Sequence, residues 1–169
     1  DDFFFFFILY ASLGKGGGTR LSSTTRADEY DEDGQVNFQK FYDQNTDPNS
    51  FVPGQAGTYI QSSVNNHYWY GLLSTFSNNI TTQFNLSGGV DLRYYKGEHY
   101  RQVYDLLGAE YAADRNNVNL SENKKQVGDK VYYHNDGLVR WGGLFLQGEF
   151  KTDRLSVFAN ITGAISGYK

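Results

Sequence analysis

The stretch Ile80–Tyr95 alternates apolar and polar residues over sixteen positions. Because strand side chains alternate faces with period two, this pattern predicts one strand with an apolar and a polar face. Strands of soluble proteins usually run about five or six residues, whereas a strand of a membrane barrel needs about nine to eleven. The length therefore favours a barrel strand with its apolar face towards lipid, and a long hairpin strand of a soluble sandwich is the alternative.

Four further segments show strand patterns, and two tight turns and two long polar connections join the five strands. The even positions from Leu144 to Phe150 and the odd positions from Leu155 to Ile165 carry the apolar faces of the last two strands. The predicted strands cover residues 3–13, 67–77, 80–95, 137–151 and 154–168, the turns lie at Asn78–Asn79 and Thr152–Asp153, and the long loops cover 14–66 and 96–136.

The connections alternate in length along the chain, in the order long, short, long, short. Consecutive antiparallel strands place alternate connections at opposite ends of a sheet, so both long loops are expected at one end and both tight turns at the other. Outer-membrane barrels have long extracellular loops and short periplasmic turns. The sequence therefore predicts an all-β fold, an antiparallel up-and-down transmembrane β-barrel segment occupying residues 1–169.

Five strands are too few to close a barrel, for which about eight is the minimum. The chain also contains no methionine, and Asp1 and Asp2 precede its first apolar run where a signal peptide would carry positive charge. We therefore expect a segment of a larger barrel, whose first and last strands pair with further strands. The five consecutive phenylalanines Phe3–Phe7 depart from the alternation.

Both long loops contain a local pattern. In the first, Gly14–Thr19 is glycine-rich but lacks the spacing of a phosphate-binding loop, and it is interpreted as a flexible connection. In the second, Tyr100, Val103, Tyr104 and Leu107 have helical spacing and Gly108 stands at the position of a C-terminal cap. A short helix is therefore predicted there.

Composition and charge exclude several classes of function. The formal net charge of −4 gives no electrostatic footprint for nucleic acid. The absence of cysteine excludes disulfides and thiolate metal sites within this chain. Aromatic residues make up 17% of the chain, and the cluster His67–Tyr70 fits the aromatic belt of a membrane interface or an aromatic-rich core strand.

The acidic stretch Glu29–Asn37 resembles part of a calcium loop, with acids at alternate positions before Gly34. Its first ligand position would be Glu29, and Lys40 stands where the bidentate glutamate belongs. We therefore interpret it as an acidic solvated turn and predict no metal site. The crowded carboxylates do not show the two facing carboxylates that a glycosidase needs.

No catalytic constellation emerges from the remaining polar residues, so the chain is not expected to be an enzyme. The histidines His67, His99 and His134 have no metal-ligand spacing, although all three fall in or beside the outer loops. Asp91 and Arg93 share the polar face of their strand, either as a structural ion pair or as charges that tune what passes a water-filled interior. No cofactor is predicted, and no catalytic or ligand-binding residue is assigned.

Three stretches, Ser63–Phe76 (SVNNHYWYGLLSTF), Asp91–Gly108 (DLRYYKGEHYRQVYDLLG) and Tyr133–Gly148 (YHNDGLVRWGGLFLQG), carry a family resemblance. They resemble the barrel of TonB-dependent outer-membrane receptors of the Bacteroidota type. The resemblance covers roughly everything after Phe7 apart from the loop interiors.

The resemblance implies a twenty-two-strand barrel in the bacterial outer membrane, filled by an N-terminal plug and energised through the TonB protein. Such receptors import glycans, peptides, iron chelates or vitamins, some with a surface lipoprotein partner. The implied partners are thus the lipid bilayer, the remaining strands and plug, TonB, a lipoprotein, and a small-molecule, glycan or peptide ligand. This chain lacks a plug and a TonB-contacting segment, so transport is implied for the parent receptor.

The alternative function is that of a soluble all-β carbohydrate-binding module with an aromatic platform, and a β-sandwich enzyme ranks third. A soluble sandwich buries its apolar faces against a second sheet, whereas a barrel segment leaves them exposed to lipid. The residues that discriminate are Ile80, Phe84, Leu86, Val90, Leu92, Leu155, Val157 and Ile161.

Overall fold

The computed structural model describes residues 3–50, 52–114, 116, 119 and 123–169 of an all-β chain with one α-helix among them. The strands are β1 (Phe3–Leu21), β2 (Ile60–Asn79), β3 (Phe84–Asp105), β4 (Ala112–Ala113), β5 (Lys124–Lys125), β6 (Lys130–Lys151) and β7 (Ser156–Tyr168), with helix α1 at Phe38–Thr46 and a short 3-10 helix at Ala27–Glu29. Among these residues no helix is long and apolar enough to cross a bilayer.

The long strands form one open five-stranded sheet in the order β1-β2-β3-β6-β7, and β4 and β5 form a separate two-stranded ribbon. Each long strand lies beside the long strand that precedes it in the chain. The pairing of β6 with β7 is antiparallel, with Leu144 opposite Gly163 and Leu146 opposite Ile161. The predicted all-β antiparallel class is confirmed, while the described residues do not close the sheet into a barrel.

The chain divides into two compact units. Unit 1 comprises the chain up to Gly14 together with His67–Gly97 and Asp136–Lys169. Unit 2 comprises Lys15–Asn66 and Glu98–Asn135.

Unit 1 is a single layer of strands whose apolar side chains stay exposed on one face. The register of β6 and β7 puts Leu146 beside Ile161 and Phe150 beside Val157. Ile161 is 71% exposed and Leu144 59%. Of the eight residues that discriminate a sandwich from a barrel segment, none is buried; Phe84 and Leu86 are half-buried and the other six are exposed, namely Ile80, Val90, Leu92, Leu155, Val157 and Ile161.

The two tight turns of unit 1 are longer than predicted. Ile80 does not begin a strand; it lies in the connection between Asn79 and Phe84. The Thr81 hydroxyl there accepts the N–H of Phe84 at 3.0 Å, which stabilises a turn that side-chain alternation alone does not reveal. The second turn is closed in the same way, since the Thr152 hydroxyl accepts the N–H of Leu155 at 3.1 Å.

In unit 2 the long connections are shorter than the sequence predicted. Four of the strands continue past their predicted ends, to Leu21, from Ile60, to Asp105 and from Lys130. The glycine-rich stretch assigned to a flexible connection lies within β1. A Cβ on Gly17 would come within 2.6 Å of the Ser63 carbonyl oxygen, so glycine lets the neighbouring backbone approach.

The helix predicted over residues 100–107 is wrong, because these residues belong to β3 and the turn that follows it. The N–H of Val103 donates to the Asp129 carbonyl at 3.0 Å, and its carbonyl accepts from Gly128 at 2.9 Å. These bonds to a neighbouring segment replace the helical ones. Gly108 has the positive φ of 85° expected of a cap, but it serves a turn after a strand.

Helix α1 lies instead in the first connection. Asn37 caps its start by accepting the N–H of Lys40 at 3.0 Å, and Asp47 adopts an extended conformation before Pro48 at its end. Phe41 is buried on its inner face. The core of unit 2 consists of Ala56, Tyr59, Val103, Leu106, Ala112 and Val131.

Candidate functional site

A recess of about 310 Å³ lies on the polar face of unit 1. Because side chains alternate along each strand, residues at odd positions of β2, β3 and β6 project from this face together. The recess is lined by Trp69, Arg93, Tyr95, Val139 and Trp141, and we call it the aromatic recess.

Ring contacts fix the side of the aromatic recess formed by β2 and β3. The ring of Trp69 meets that of Tyr95 edge-on, with centroids 5.5 Å apart. The imidazole of His67 stacks on Tyr95 at 5.8 Å, and its Nδ1 is hydrogen-bonded to the Tyr95 hydroxyl at 2.5 Å. Both contacts hold the phenol ring in one orientation.

An ion pair and a cation–π contact fix the other side. Arg93 donates from Nε to both carboxylate oxygens of Asp91, at 3.0 and 3.1 Å. Its guanidinium carbon lies 4.7 Å from the centre of the Trp141 ring. The predicted shared face of Asp91 and Arg93 is confirmed, and the carboxylate balances the charge of the guanidinium beside the aromatic recess.

Glycines give several rings of unit 1 room to lie against the sheet. A Cβ on Gly71 would come within 2.1 Å of the Tyr10 ring, and one on Gly89 within 2.7 Å of the Phe145 ring. These positions are closed to larger residues unless the ring moves away. The rings of Tyr10 and Phe145 therefore occupy the space that a side chain would fill at Gly71 and Gly89.

The predicted aromatic belt His67–Tyr70 is divided between the two faces. His67 and Trp69 contact Tyr95 on the polar face, whereas Tyr70 packs against Tyr94 on the apolar face with centroids 6.3 Å apart. Trp69 lines the aromatic recess and His67 contacts its Tyr95, whereas Tyr70 and Tyr94 form a separate ring pair on the apolar face.

The three histidines have separate partners. His67 contacts Tyr95, as described above; in unit 2, His99 is hydrogen-bonded to Asn65 at 2.6 Å, and both ring nitrogens of His134 lie within 3.2 Å of the Lys130 ammonium. In the part of the chain that the structure describes, no three His, Asp or Glu side chains are grouped as metal ligands.

The acidic stretch of unit 2 forms a compact turn. One Asp31 carboxylate oxygen accepts the N–H groups of Asp33 and Gln35 at 3.1 and 2.8 Å, and Gly34 has a φ of 76°. The Glu29 carboxylate accepts the N–H of Arg26 at 2.7 Å. These two carboxylates stabilise the loop backbone, as an acidic solvated turn does.

Two ionisable groups of unit 2 are perturbed. The hydrogen bond from the Lys40 ammonium, 2.8 Å from the carboxylate, lowers the pKa of Asp28 below its ordinary value. Burial, and then a hydrogen bond with Tyr132, raise the pKa of Tyr59 far above its ordinary value. Tyr59 therefore stays neutral in the core of unit 2 at any physiological pH.

Unit 2 also contains a more polar recess of about 520 Å³. Hydroxyl groups of consecutive residues and one guanidinium line it, so it fits a hydrated ligand or ordered water more readily than an apolar one. Its lining residues are Arg20, Leu21, Ser22, Ser23, Thr24, Thr25, Tyr30, Val36 and Gln61.

The aromatic recess was not found by sequence reasoning, which assigned no ligand-binding residue. Alternation alone puts Trp69, Arg93, Tyr95 and Trp141 at odd positions, and this was the available signal. Their grouping depends on the register between strands, which alternation does not give.

Comparison with protein-family models, with curated proteins and with solved structures finds no match to this chain.

Proposed function

We propose that this chain forms part of the wall of an outer-membrane β-barrel belonging to a TonB-dependent receptor, which takes up a ligand across the bacterial outer membrane. The observation that carries the proposal is the division of unit 1 into an exposed apolar face and a polar face. Ile165, at 78%, is among the most exposed residues of the apolar face. Water-soluble proteins rarely expose a contiguous apolar surface of this kind, whereas lipid is its natural environment.

The dimensions of the strands support the proposal. Tyr70 lies nine residues from the end of β2 at Asn79, and Tyr94 ten residues from the start of β3 at Phe84. At about 3.3 Å per residue and a tilt of about 40°, ten residues rise about 25 Å, which is the height of the apolar band of such barrels. The Tyr70–Tyr94 pair would thus lie at the outer membrane interface, opposite the end with the tight turns.

The polar face has the properties of a lumen wall. Its ion pair joins the Arg93 guanidinium to the Asp91 carboxylate, with Nε 3.0 Å from one carboxylate oxygen. Paired charges beside polar and aromatic side chains are tolerated in a water-filled interior and would be costly against lipid. The aromatic recess would then open into the lumen.

Transport would be a property of the whole receptor. The plug, the remaining strands, TonB and a surface lipoprotein are the partners expected from the resemblance, and a glycan, a peptide, an iron chelate or a vitamin is the expected ligand. The alternative, a soluble carbohydrate-binding module, requires a second sheet over the apolar face. Within unit 1, the described strands form a single layer and leave that face uncovered.

The test is the environment of two neighbouring side chains on β7, Asn160 and Ile161, which point to opposite faces and are both exposed. This chain has no cysteine, so each position is replaced by cysteine in turn in the receptor that contains it. We expect a lipid-confined maleimide to label position 161 and a water-soluble maleimide to label position 160 in intact outer membranes. Labelling of position 161 by the water-soluble reagent alone, or protection of both positions until unfolding, would rule out a membrane wall.

A further inference from the structure

The aromatic recess is preorganised for a single ring. Trp69 and Tyr95 hold each other edge to face, and Trp141 lies under the Arg93 guanidinium. At about 310 Å³ the recess is at the small end of ligand pockets, which run from about 300 to 1,000 Å³. This size fits one ring of a ligand rather than a whole macrocyclic chelate.

The charges around the recess favour a neutral ligand. The carboxylate of Asp91 engages the Arg93 guanidinium through Nε and Nη2, so the cation is already balanced. An anionic ligand would compete with that carboxylate for Arg93, and a cationic ligand would compete with the guanidinium for Asp91. Neither sign of charge gains a free counter-ion within the aromatic recess.

The polar groups distinguish a sugar ring from an aromatic one. Arg93 and the Tyr95 hydroxyl lie at the edge of the aromatic recess, and a wholly apolar ring would remove water from them without replacing its hydrogen bonds. A pyranose supplies hydroxyls at its edge. Its axial C–H groups meet the negatively polarised face of Trp69, because the Arg93 guanidinium already lies over the ring of Trp141.

We infer that the aromatic recess is a subsite for a neutral pyranose ring of an oligosaccharide, with Trp69 as the stacking residue, Trp141 as the wall that supports the guanidinium, and Arg93 as a hydrogen-bond donor to hydroxyls. The inference rests on the proposed function, since it requires the polar face to line a lumen that ligand enters.

The experiment is isothermal titration calorimetry on the detergent-purified full-length receptor. The neutral probes are maltohexaose, cellohexaose, xylohexaose and mannohexaose. Hexagalacturonate is the anionic probe and Ala-Phe-Ala is the peptide probe. At least one neutral hexasaccharide binds, and Trp69→Ala and Trp141→Ala each weaken its affinity about tenfold or more. Trp69→Phe, which keeps a ring, loses less.

Tyr70→Ala is the matched control, because Tyr70 follows Trp69 in the strand, has nearly the same exposure (44% against 40%) and lies on the opposite face. It leaves the affinity unchanged, and thermal unfolding shows that all variants are folded. Absence of binding by every neutral hexasaccharide, equal affinities of the tryptophan variants and Tyr70→Ala, or tryptophan-dependent binding of only hexagalacturonate or the peptide would overturn the inference. Labelling at positions 160 and 161 separates this failure from that of the membrane wall.

Discussion

The loss of stability on replacing Asn45 of unit 2 can be worked out from its hydrogen bonds. It is 5% exposed, and its side chain joins three segments. Its Oδ1 accepts the N–H of Gly57 at 2.9 Å, and its Nδ2 donates to the carbonyls of Thr58 at 2.8 Å and of Leu106 and Leu107 at 3.1 Å. Asn45→Ala removes all of these bonds, although the Leu106 carbonyl still accepts the N–H of Ala109 at 3.2 Å.

The expected cost follows from the number of bonds. The carboxamide has two N–H donors and is bonded through one acceptor, which gives three donor–acceptor pairs. At about 1 kcal/mol each, the loss is about 3 kcal/mol. Asn45→Asp costs more at neutral pH, since a carboxylate oxygen then faces the three carbonyls that Nδ2 served. Lowering the pH towards protonation of that carboxylate reduces the difference between the two variants.

The assay is hydrogen exchange in the full-length protein, read at the amides of residues 54–59. A local loss of about 3 kcal/mol accelerates their exchange by about a hundredfold. Asn49→Ala is the control, because Asn49 is an exposed asparagine in the turn after α1 whose side chain donates to the Asp47 carboxylate at 3.2 Å. Exchange in Asn45→Ala within about threefold of the wild type would refute the assignment of Asn45 as the centre of this network.

Three further outcomes are expected. Gly71→Val displaces the Tyr10 ring and lowers stability by about 1–3 kcal/mol, measured by denaturant unfolding of the purified protein; an unchanged midpoint contradicts the close contact. On the proposal that the apolar face of unit 1 contacts lipid, Leu146→Arg costs about 2–4 kcal/mol and reduces the amount of protein in the outer membrane, whereas Gln147→Arg on the polar face leaves it near the wild-type level; equal losses argue against that proposal. The raised pKa of Tyr59 stabilises the fold below its ordinary pKa of 10.0, and this contribution declines as pH rises towards the higher pKa of the folded state; Tyr59→Phe, which cannot ionise, shows a shallower loss of stability above pH 10 in pH-dependent unfolding.

The sequence predicted the two faces of unit 1 because one face of each strand is apolar over many residues. The apolar residues Val157, Ile161 and Ile165 of β7 and Leu144, Leu146 and Phe150 of β6 are exposed in the structure and share one face, as alternation required. Strand ends near unit 2 were missed because they carry no such alternation. The stretch Gly16–Gly18 in β1 has no side chains to alternate, and its extended conformation depends on the close approach of β2 at Ser63.

The predicted helix failed for a different reason. The helical spacing of Tyr100, Val103 and Tyr104 predicted that their side chains share one face of a helix. In the structure these residues belong to a strand, and tertiary packing decides which of them is buried. Val103 is fully buried in the core of unit 2 as part of a strand, and Tyr104 is exposed. The aromatic recess could not be predicted for a related reason, since its residues come together through strand register and not through a local sequence pattern.

Register in unit 1 has a physical basis in its composition, which is rich in both glycine and aromatic residues. A ring in one strand repeatedly lies where the neighbouring strand has no side chain, so that a Cβ added there would come within 3.3 Å of the ring. The pairs are Tyr10 with Gly71, Phe76 with Gly88, Phe145 with Gly89, and Phe84 with Gly148. A slip of one residue would move each apolar set to the other face, and it would separate the Tyr10 ring from Gly71 and the Phe84 ring from Gly148. Glycine–aromatic pairing and side-chain alternation therefore favour the same register. The paired rings lie against the sheet on both of its faces.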